Sequence, residues 1–264
     1  MLYLVATPIG NLKDITYRAV EVLKEVDEIA CEDTRHSLTL LNAYGIKKPL
    51  VAYHKFNERQ SGEKIIEKLK QGKNIALITD AGMPVVSDPG NVLVNMLVEN
   101  NLEYTIIPGA SACLSALVLS GLDASRFTFI GFLPEKKSDR EELLSKYAQN
   151  EETLIFYSAP HDVVKDVQTL FACLGDRKAV AVREITKMHE SAVRFNLKDG
   201  YPNEPKGEFV IVVEGASKPD FTTLTEKEHI EKYLSEGMDK KEALKRVAKE
   251  RGVSKSSLYK YTIE

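Results

Sequence analysis

Ile75-Ala76-Leu77-Ile78 is an unbroken apolar run, with no polar residue on either face of the strand it would form. Such a strand needs cover above and below, which a parallel sheet between two layers of helices supplies. The run stops at Thr79 and opens into Asp80-Ala81-Gly82-Met83-Pro84, followed by Ser87-Asp88-Pro89-Gly90. Glycine lets backbone approach a ligand closely, and proline holds a loop in one shape. In an open parallel sheet, ligands sit beyond the carboxyl ends of the strands, where this loop would lie. An ordinary strand-to-helix connection has the same local look, so one loop does not decide the matter.

Two further loops strengthen the reading. Leu2 to Ala6 is an apolar strand ending in Thr7-Pro8-Ile9-Gly10-Asn11, and Tyr104 to Ile107 ends in Pro108-Gly109-Ala110-Ser111-Ala112. Glu28 to Cys31 leads into the polar cluster Glu32-Asp33-Thr34-Arg35-His36, and Leu50 to Tyr53 into His54-Lys55-Phe56-Asn57-Glu58. Helical stretches lie between them. One has Asp14 or Thr16 as N-cap and Ala19, Val20, Leu23 and Val26 on one face; another buries Ile65, Ile66 and Leu69. Strands alternating with helices predict a parallel α/β sheet with right-handed crossovers. The three Gly-Pro loops would then lie side by side, offering backbone amides and small side chains but little positive charge. That suits a ligand with adenosine and amino-acid parts better than a polyphosphate.

A second unit is expected from near Cys113, dividing the chain into 1–112, 113–216 and a helical tail, 221–264. Cys113 to Leu122 is small and apolar, fit for a buried helix. Strands are expected at Phe127 to Phe132, Thr153 to Tyr157, Ala179 to Val182, Ser191 to Leu197 and Glu208 to Val213. Helices are expected near Asp139 to Gln149 and Pro160 to Leu174. The short later connections favour antiparallel pairing in this half. After Gly215 comes a linker, Ser217 to Asp220, and then a charged segment. Asp239 with Glu242 forms a capping-box pattern, Leu244, Val247 and Ala248 share a face, Gly252 suits a C-cap and Ser254 a second N-cap. From Lys240 to Lys260 there are eight Lys or Arg against two Glu, a basic helix-turn-helix pattern.

With 43% hydrophobic residues the chain can build a real core, and no apolar run approaches the ~20 residues that span a bilayer. The start, MLYLVATPIG, has no basic region before its strand, so a signal peptide is not expected. Cys31, Cys113 and Cys173 form no CxxC pair, which fits a reducing, cytoplasmic setting. The net charge of -3 does not mark a nucleic-acid binder, although it would conceal a basic patch. There is no GxxxxGK[ST], GxGxxG, GxSxG or HExxH. Asp33, His36 and His54 match no established ligand spacing, so no metal is expected.

The runs VATPIGNLKDIT, EDTRH, ALITDAGMPVVSDPG and PGASA, in that order, resemble the tetrapyrrole-methylase superfamily of S-adenosylmethionine-dependent methyltransferases. EDTRH, the His54 to Glu58 cluster, Gly131-Phe132-Leu133-Pro134, Arg183-Glu184-Ile185-Thr186-Lys187 with Glu190, and Lys206-Gly207-Glu208 resemble one branch of it. That branch is the ribosomal RNA small subunit methyltransferase I family, which methylates the ribose 2′-oxygen of a cytidine in small-subunit ribosomal RNA. The similarity runs over the whole chain, to Ser257-Leu258-Tyr259-Lys260-Tyr261. Two places depart from the pattern: Phe56 replaces a second histidine, and Ser158-Ala159-Pro160-His161 varies from the usual segment.

The resemblance implies two α/β domains with a cleft between them, the cofactor in that cleft, a homodimer, and ribosomal RNA within the small subunit as partner. It also implies cofactor contacts: Pro8 bordering the cleft; Asp80, Ala81, Met83 and Val86 at the methionine and ribose portions; Ser111 and Ala112 continuing that wall. Tyr157, Glu184 and Gly207 would reach the adenine from the second domain. Simple core packing is the alternative for the apolar members.

Methyl transfer to a ribose hydroxyl needs positioning, and a base or a cation for the developing alkoxide. On this reading Lys187 polarises the 2′-oxygen, while Glu190 or Asp33 orients it or accepts the proton. Asp33 and Arg35 sit at a strand end; ion pairs holding an interface are the competing role for all these charges. His54, Asn57 and Glu58 would line the RNA side, with His36 structural or RNA-contacting, and the basic tail would touch RNA phosphate. Rival readings are a small-molecule tetrapyrrole methylase of the same fold, and an RNA- or DNA-binding protein without catalysis.

Overall fold

The structure, a computed structural model, describes residues 1–217 and 224–261. Beyond Ser217, the expected linker lies outside the described residues. Met1–Ala216 form one compact unit and Ser217–Glu264 a second.

The first sheet holds β1 (Leu2–Val5), β2 (Glu28–Cys31), β3 (Leu50–Ala52), β4 (Ile75–Ile78) and β5 (Tyr104–Ile107), all parallel, in the order β3-β2-β4-β1-β5. Every residue of β4 is buried, as its unbroken apolar run requires. Ile75 and Leu77 face α3 (Glu58–Lys70) and α4 (Asn91–Glu99), among Ile65, Ile66, Leu93 and Leu97. Ala76 and Ile78 face the other way, with Ala19 and Leu23 of α1 (Tyr17–Glu25) and Leu41 of α2 (Thr34–Ala43). Of the two candidate caps for α1, Thr16 is the one used: its Oγ1 accepts the Ala19 N–H at 3.1 Å. Asp14 instead ends a short 3-10 turn, Leu12–Asp14.

Helix α2 has no counterpart in the sequence reading. Its first turn is the polar cluster after β2, where Asp33 is the N-cap, accepting the Arg35 N–H at 2.8 Å. Charged residues there masked the apolar stripe of Leu40 and Leu41 that follows.

The second sheet is mixed. It contains β6 (Phe127–Phe132), β7 (Thr153–Ser158), β8 (Lys178–Arg183), β9 (Ser191–Asn196) and β10 (Phe209–Val213), in the order β6-β7-β10-β8-β9. Only β6 and β7 run parallel; the other pairs are antiparallel, matching the short connections. On one face lies α5 (Ala112–Ser120), capped by Ser111, its Cys113, Ala116 and Leu117 packed on Ile155, Val180 and Val210. On the other lie α6 (Lys137–Ser145) and α7 (Val163–Leu174), with Leu144, Val167 and Leu170 against Phe156 and Ile211. Helix α7 starts later than Pro160 because residues 159–162 close a turn, Asp162 N–H to the Ala159 carbonyl.

The second unit has its own core. Helix α8 (Glu226–Ser235) begins with a complete capping box between Thr225 and Glu228. Helix α9 (Lys240–Arg251) is capped by Asp239 and ends at Gly252 in the left-handed region (φ 65). Ser254 caps the short α10 (Lys255–Leu258). Leu244, Val247, Ala248 and Leu258 pack with Ile230 and Tyr233. Among the described residues, no helix is long and apolar enough to cross a membrane.

Candidate active site

Strands β4, β1 and β5 are neighbours, so the three Gly-Pro loops meet at one edge of the first sheet, as the alternation predicts. Two of them are stitched together: Thr7 N–H donates to the Gly82 carbonyl at 2.9 Å and Gly82 N–H returns to Thr7 at 3.1 Å. Beside them is a cavity of about 360 Å³. Ile9, Ala81, Met83, Val86, Ser111 and Ala112 form one side; Phe132, Tyr157, Ser158 to Pro160, Ile185 and Glu208 to Val210 form the other.

Six residues proposed for cofactor contact therefore lie on the wall: Ala81, Met83, Val86, Ser111, Ala112 and Tyr157. Pro8, Asp80, Glu184 and Gly207 do not; each stands one residue from a lining position, at Ile9, Ala81, Ile185 or Glu208. Ser87, Asp88, Phe132 and the Ser158 to Pro160 segment line it without having been singled out as contacts. Their signals were present: Ser87-Asp88 belongs to the Gly-Pro loop, and Phe132 and Ser158 lie in segments already conspicuous in the sequence.

The far wall is braced from behind. Asp166 of α7, almost fully buried, accepts Arg140 Nη1 at 2.5 Å and the Ser158 hydroxyl at 2.6 Å. Arg140 also donates through Nε to the Pro134 carbonyl. One buried ion pair thus fixes both the Ser158 turn and the end of the Phe132 segment. Tyr157 stands edge-on to Phe129 and Phe132, with ring centroids 4.9 and 5.5 Å away. Burial holds its hydroxyl up to about 12, so it stays protonated.

Both rims carry left-handed residues that are not glycine. Val85 (φ 78) and Ser87 (φ 66) flank Val86, and Glu184 (φ 51) and Thr186 (φ 66) flank Ile185. A β-branched valine there is strained, and such strain concentrates at functional sites.

The charges fall into two groups. Asp88, on the wall, is pushed up to about 7, first by burial and then by the charges of Glu32 and Asp80. Burial and Asp80 also raise Glu32. Asp80 Oδ1 accepts the Asp33 N–H at 3.3 Å, drawing the end of β2 towards the β4 loop. The second group surrounds Lys187, whose ammonium lies 3.0 Å from Glu184 and 2.8 Å from Glu208. Burial works against the cation, but the two carboxylates outweigh it and hold its pKa above the ordinary value. Gly10 lies against its stem: a Cβ there would come within 2.6 Å of Lys187 Cγ and 2.7 Å of the Ile185 carbonyl.

The Glu190 carboxylate is not the partner of the Lys187 ammonium: its backbone N–H donates to the Lys187 carbonyl at 3.2 Å, and its Oε2 accepts the Thr186 N–H at 2.6 Å and closes the loop. Asp33 and Arg35 form an exposed ion pair at 3.0 Å, and hydrogen bonds from Arg35 hold the Asp33 carboxyl at about 2. Among the described residues, no three His, Cys, Asp or Glu side chains form a group that could hold a metal ion.

A family profile described as Tetrapyrrole (Corrin/Porphyrin) Methylases matches residues 1–200. Ribosomal RNA small subunit methyltransferase I of Bacillus subtilis is 44% identical over 270 residues, covering 98% of this chain and 92% of the relative. The chain belongs to that family of tetrapyrrole methylases. The protein of the same name from Halalkalibacterium halodurans is 42% identical over 268 residues, covering 98% and 93%. The solved structure of the methyltransferase CobJ has the same fold, with a TM-score of 0.64 at 19% identity over 81% of this chain and 94% of that one.

As a tetrapyrrole methylase the protein is a methyltransferase and uses S-adenosylmethionine. The residues present fit that donor. The cavity falls within the roughly 300–1,000 Å³ of small-molecule sites. Its walls are largely apolar and aromatic, and Asp88 supplies an acidic group for a cationic ligand.

Proposed function

We propose that this methyltransferase transfers a methyl group to the ribose 2′-oxygen of a cytidine in ribosomal RNA of the small subunit. The observation that carries the reading is the Lys187 ammonium, braced by Glu184 and by Glu208, a residue of the cavity wall. A tetrapyrrole carbon acceptor has no alkoxide to stabilise. A ribose hydroxyl does.

When bound, S-adenosylmethionine supplies an electrophilic methyl group on a positively charged sulfur. Asp88 would offer its carboxylate to that positive charge, while Tyr157 and Phe132 would supply aromatic faces for the rest of the ligand. Ala81, Met83, Val86, Ser111 and Ala112 hold its shape and exclude water. Asp80 stands behind the wall, Pro8 shapes the rim, and Gly207 (φ 80) leaves room for the Glu184 side chain. Lys187 donates to the 2′-oxygen as that atom gains negative charge. Its high pKa keeps it a cation rather than a base.

Of the two acids weighed for the proton, Asp33 at about 2 is a poor acceptor, so its part is to cap α2 and set Arg35. Glu190 orients the Lys187 loop through Thr186, and the proton of the 2′-hydroxyl passes to solvent water as the oxygen takes the methyl group.

The site serves a cytoplasmic homodimer in this reading. Helix α5 is apolar all round, and its outer residues Leu114 and Val118 are 51% and 76% exposed. A helix of that kind is normally covered on every side, and a second copy of the chain would cover it. The basic second unit would add contacts to RNA phosphate.

The test is transfer of labelled methyl groups to isolated small subunits, with a tetrapyrrole as the competing acceptor and digestion of the RNA to nucleosides. Label on a cytidine ribose supports the proposal. Label on the tetrapyrrole alone overturns it in favour of a small-molecule methylase.

A further inference from the structure

The most exposed large apolar side chains among the described residues are Phe56 and Met188, each 94% exposed, and Tyr17 at 93%. They are not scattered. Phe56 is on the turn after β3, and Tyr17 opens α1 after the loop that follows β1. Met188 follows Lys187, whose stem lies on Gly10 of that same loop. All three therefore project from the edge that carries the cavity. Strands β3 and β1 are three positions apart in the sheet, about 14 Å at ordinary strand spacing. That is a span of a few nucleotides of extended strand.

The Phe56 turn is tied by hydrogen bonds although its side chain is in water. The His54 N–H donates to Asn57 Oδ1 at 2.8 Å, the Asn57 N–H returns to the His54 carbonyl at 2.9 Å, and Asn57 Nδ2 donates to the Ala52 carbonyl at 3.1 Å. His54 stands edge-on to Phe56 with centroids 6.2 Å apart. Cations lie close by in sequence, with acids among them: Lys55 and Arg59 flank Phe56 with Glu58, Lys13 and Arg18 flank Tyr17 with Asp14, and Arg35, 90% exposed and paired with Asp33, follows the intervening β2.

We propose that Phe56, with Tyr17 and Met188, is a stacking platform for unpaired bases flanking the target nucleotide. This rests on the RNA reading above. A ribose inside a paired helix is presented by shape, whereas unpaired bases can be splayed and stacked on aromatic side chains. Neighbouring cations hold the backbone while the rings take bases of any sequence. Lys187 stands at the β1 end of the row and Phe56 at the β3 end. Stacking at Phe56 therefore fixes the strand a short distance from the reacting oxygen.

The chain contains no tryptophan, so Phe56→Trp places its only indole on the platform. Full-length Phe56→Trp is titrated with a single-stranded, cytidine-containing RNA oligonucleotide and with the same sequence fully paired. Quenching by the single strand and not by the duplex is expected. Phe56→Ala should weaken single-strand binding by about 5- to 150-fold, with Phe56→Tyr restoring it. Cofactor affinity should be unchanged in all three variants, which also shows that they fold.

If the wild-type protein binds the RNA while the indole stays unquenched and Phe56→Ala keeps full affinity, the platform is wrong and the RNA reading stands. Emission that changes with protein concentration in the absence of RNA would assign the surface to a second copy and overturn the proposal. A wild-type protein that binds neither free RNA nor small subunits would remove the platform together with the reading beneath it.

Discussion

Cofactor affinity should depend on pH through Asp88. The side chain lies on the cavity wall and sits at about 7 because burial, and then Glu32 and Asp80, disfavour its charge. At pH ~7 about half of the free protein therefore carries a proton there. A positively charged ligand selects the ionised form and returns the carboxyl towards its ordinary range. Below the free-protein pKa, affinity should fall tenfold per pH unit, making S-adenosylmethionine about thirtyfold weaker at pH ~5.5 than at pH ~8.

Titration calorimetry in two buffers of different ionisation enthalpy should also show release of about half a proton at pH ~7. S-adenosylhomocysteine, which lacks the sulfonium charge, should show a shallower slope. Asp88→Asn should bind weakly and without the slope. The stability of the ligand-free protein has the opposite sense. A raised carboxyl contributes fully below its ordinary pKa of about 4 and loses that contribution as pH rises through about 7, so the melting temperature should drop over that window. A flat affinity profile with no proton release, or an unchanged slope in Asp88→Asn, would refute the assignment of Asp88 to the ligand's positive charge.

Other substitutions separate packing from chemistry. Gly10→Ala forces a Cβ against the Ile185 carbonyl and the Lys187 stem. It should cost about 1–3 kcal/mol in denaturant unfolding and lower turnover more than cofactor affinity, since displacement of Lys187 by about 1 Å can cost a hundredfold. Asp166→Ala strands a buried Arg140 and should destabilise the protein by about 3–5 kcal/mol, measured by chemical denaturation, with Ser158 freed from its wall position. Ending the chain at Ala216 removes a unit whose core is its own. Cofactor binding should survive, while RNA affinity and its salt slope should both fall in filter binding.

Much of the first sheet was legible because its strands carry their environment in their composition. Ile75 to Ile78 has no polar face, so cover on both sides was forced, and the glycine and proline loops marked the edge where the cavity opens. Helix α2 was hidden because its first turn is built from Asp33, Thr34 and Arg35, residues that also suit a reactive site; in the structure Asp33 is a cap. The far wall was less legible for a topological reason. Phe132, Ser158, Ile185 and Val210 come from four separate segments, and only the order β6-β7-β10-β8 gathers them. The partners of Lys187 illustrate the same limit. Glu190, three residues on, fitted the spacing, yet the ammonium is held by Glu184 and by Glu208, twenty-one residues away.

The most direct test of the account is the single-turnover rate of Lys187→Ala on small subunits, measured beside its affinity for S-adenosylmethionine. Loss of about a hundred- to a thousandfold in rate with cofactor affinity unchanged is the predicted result, the size expected for removing one donor to a developing oxyanion. A near-normal rate would contradict the account and leave Lys187 as an ion pair holding its loop.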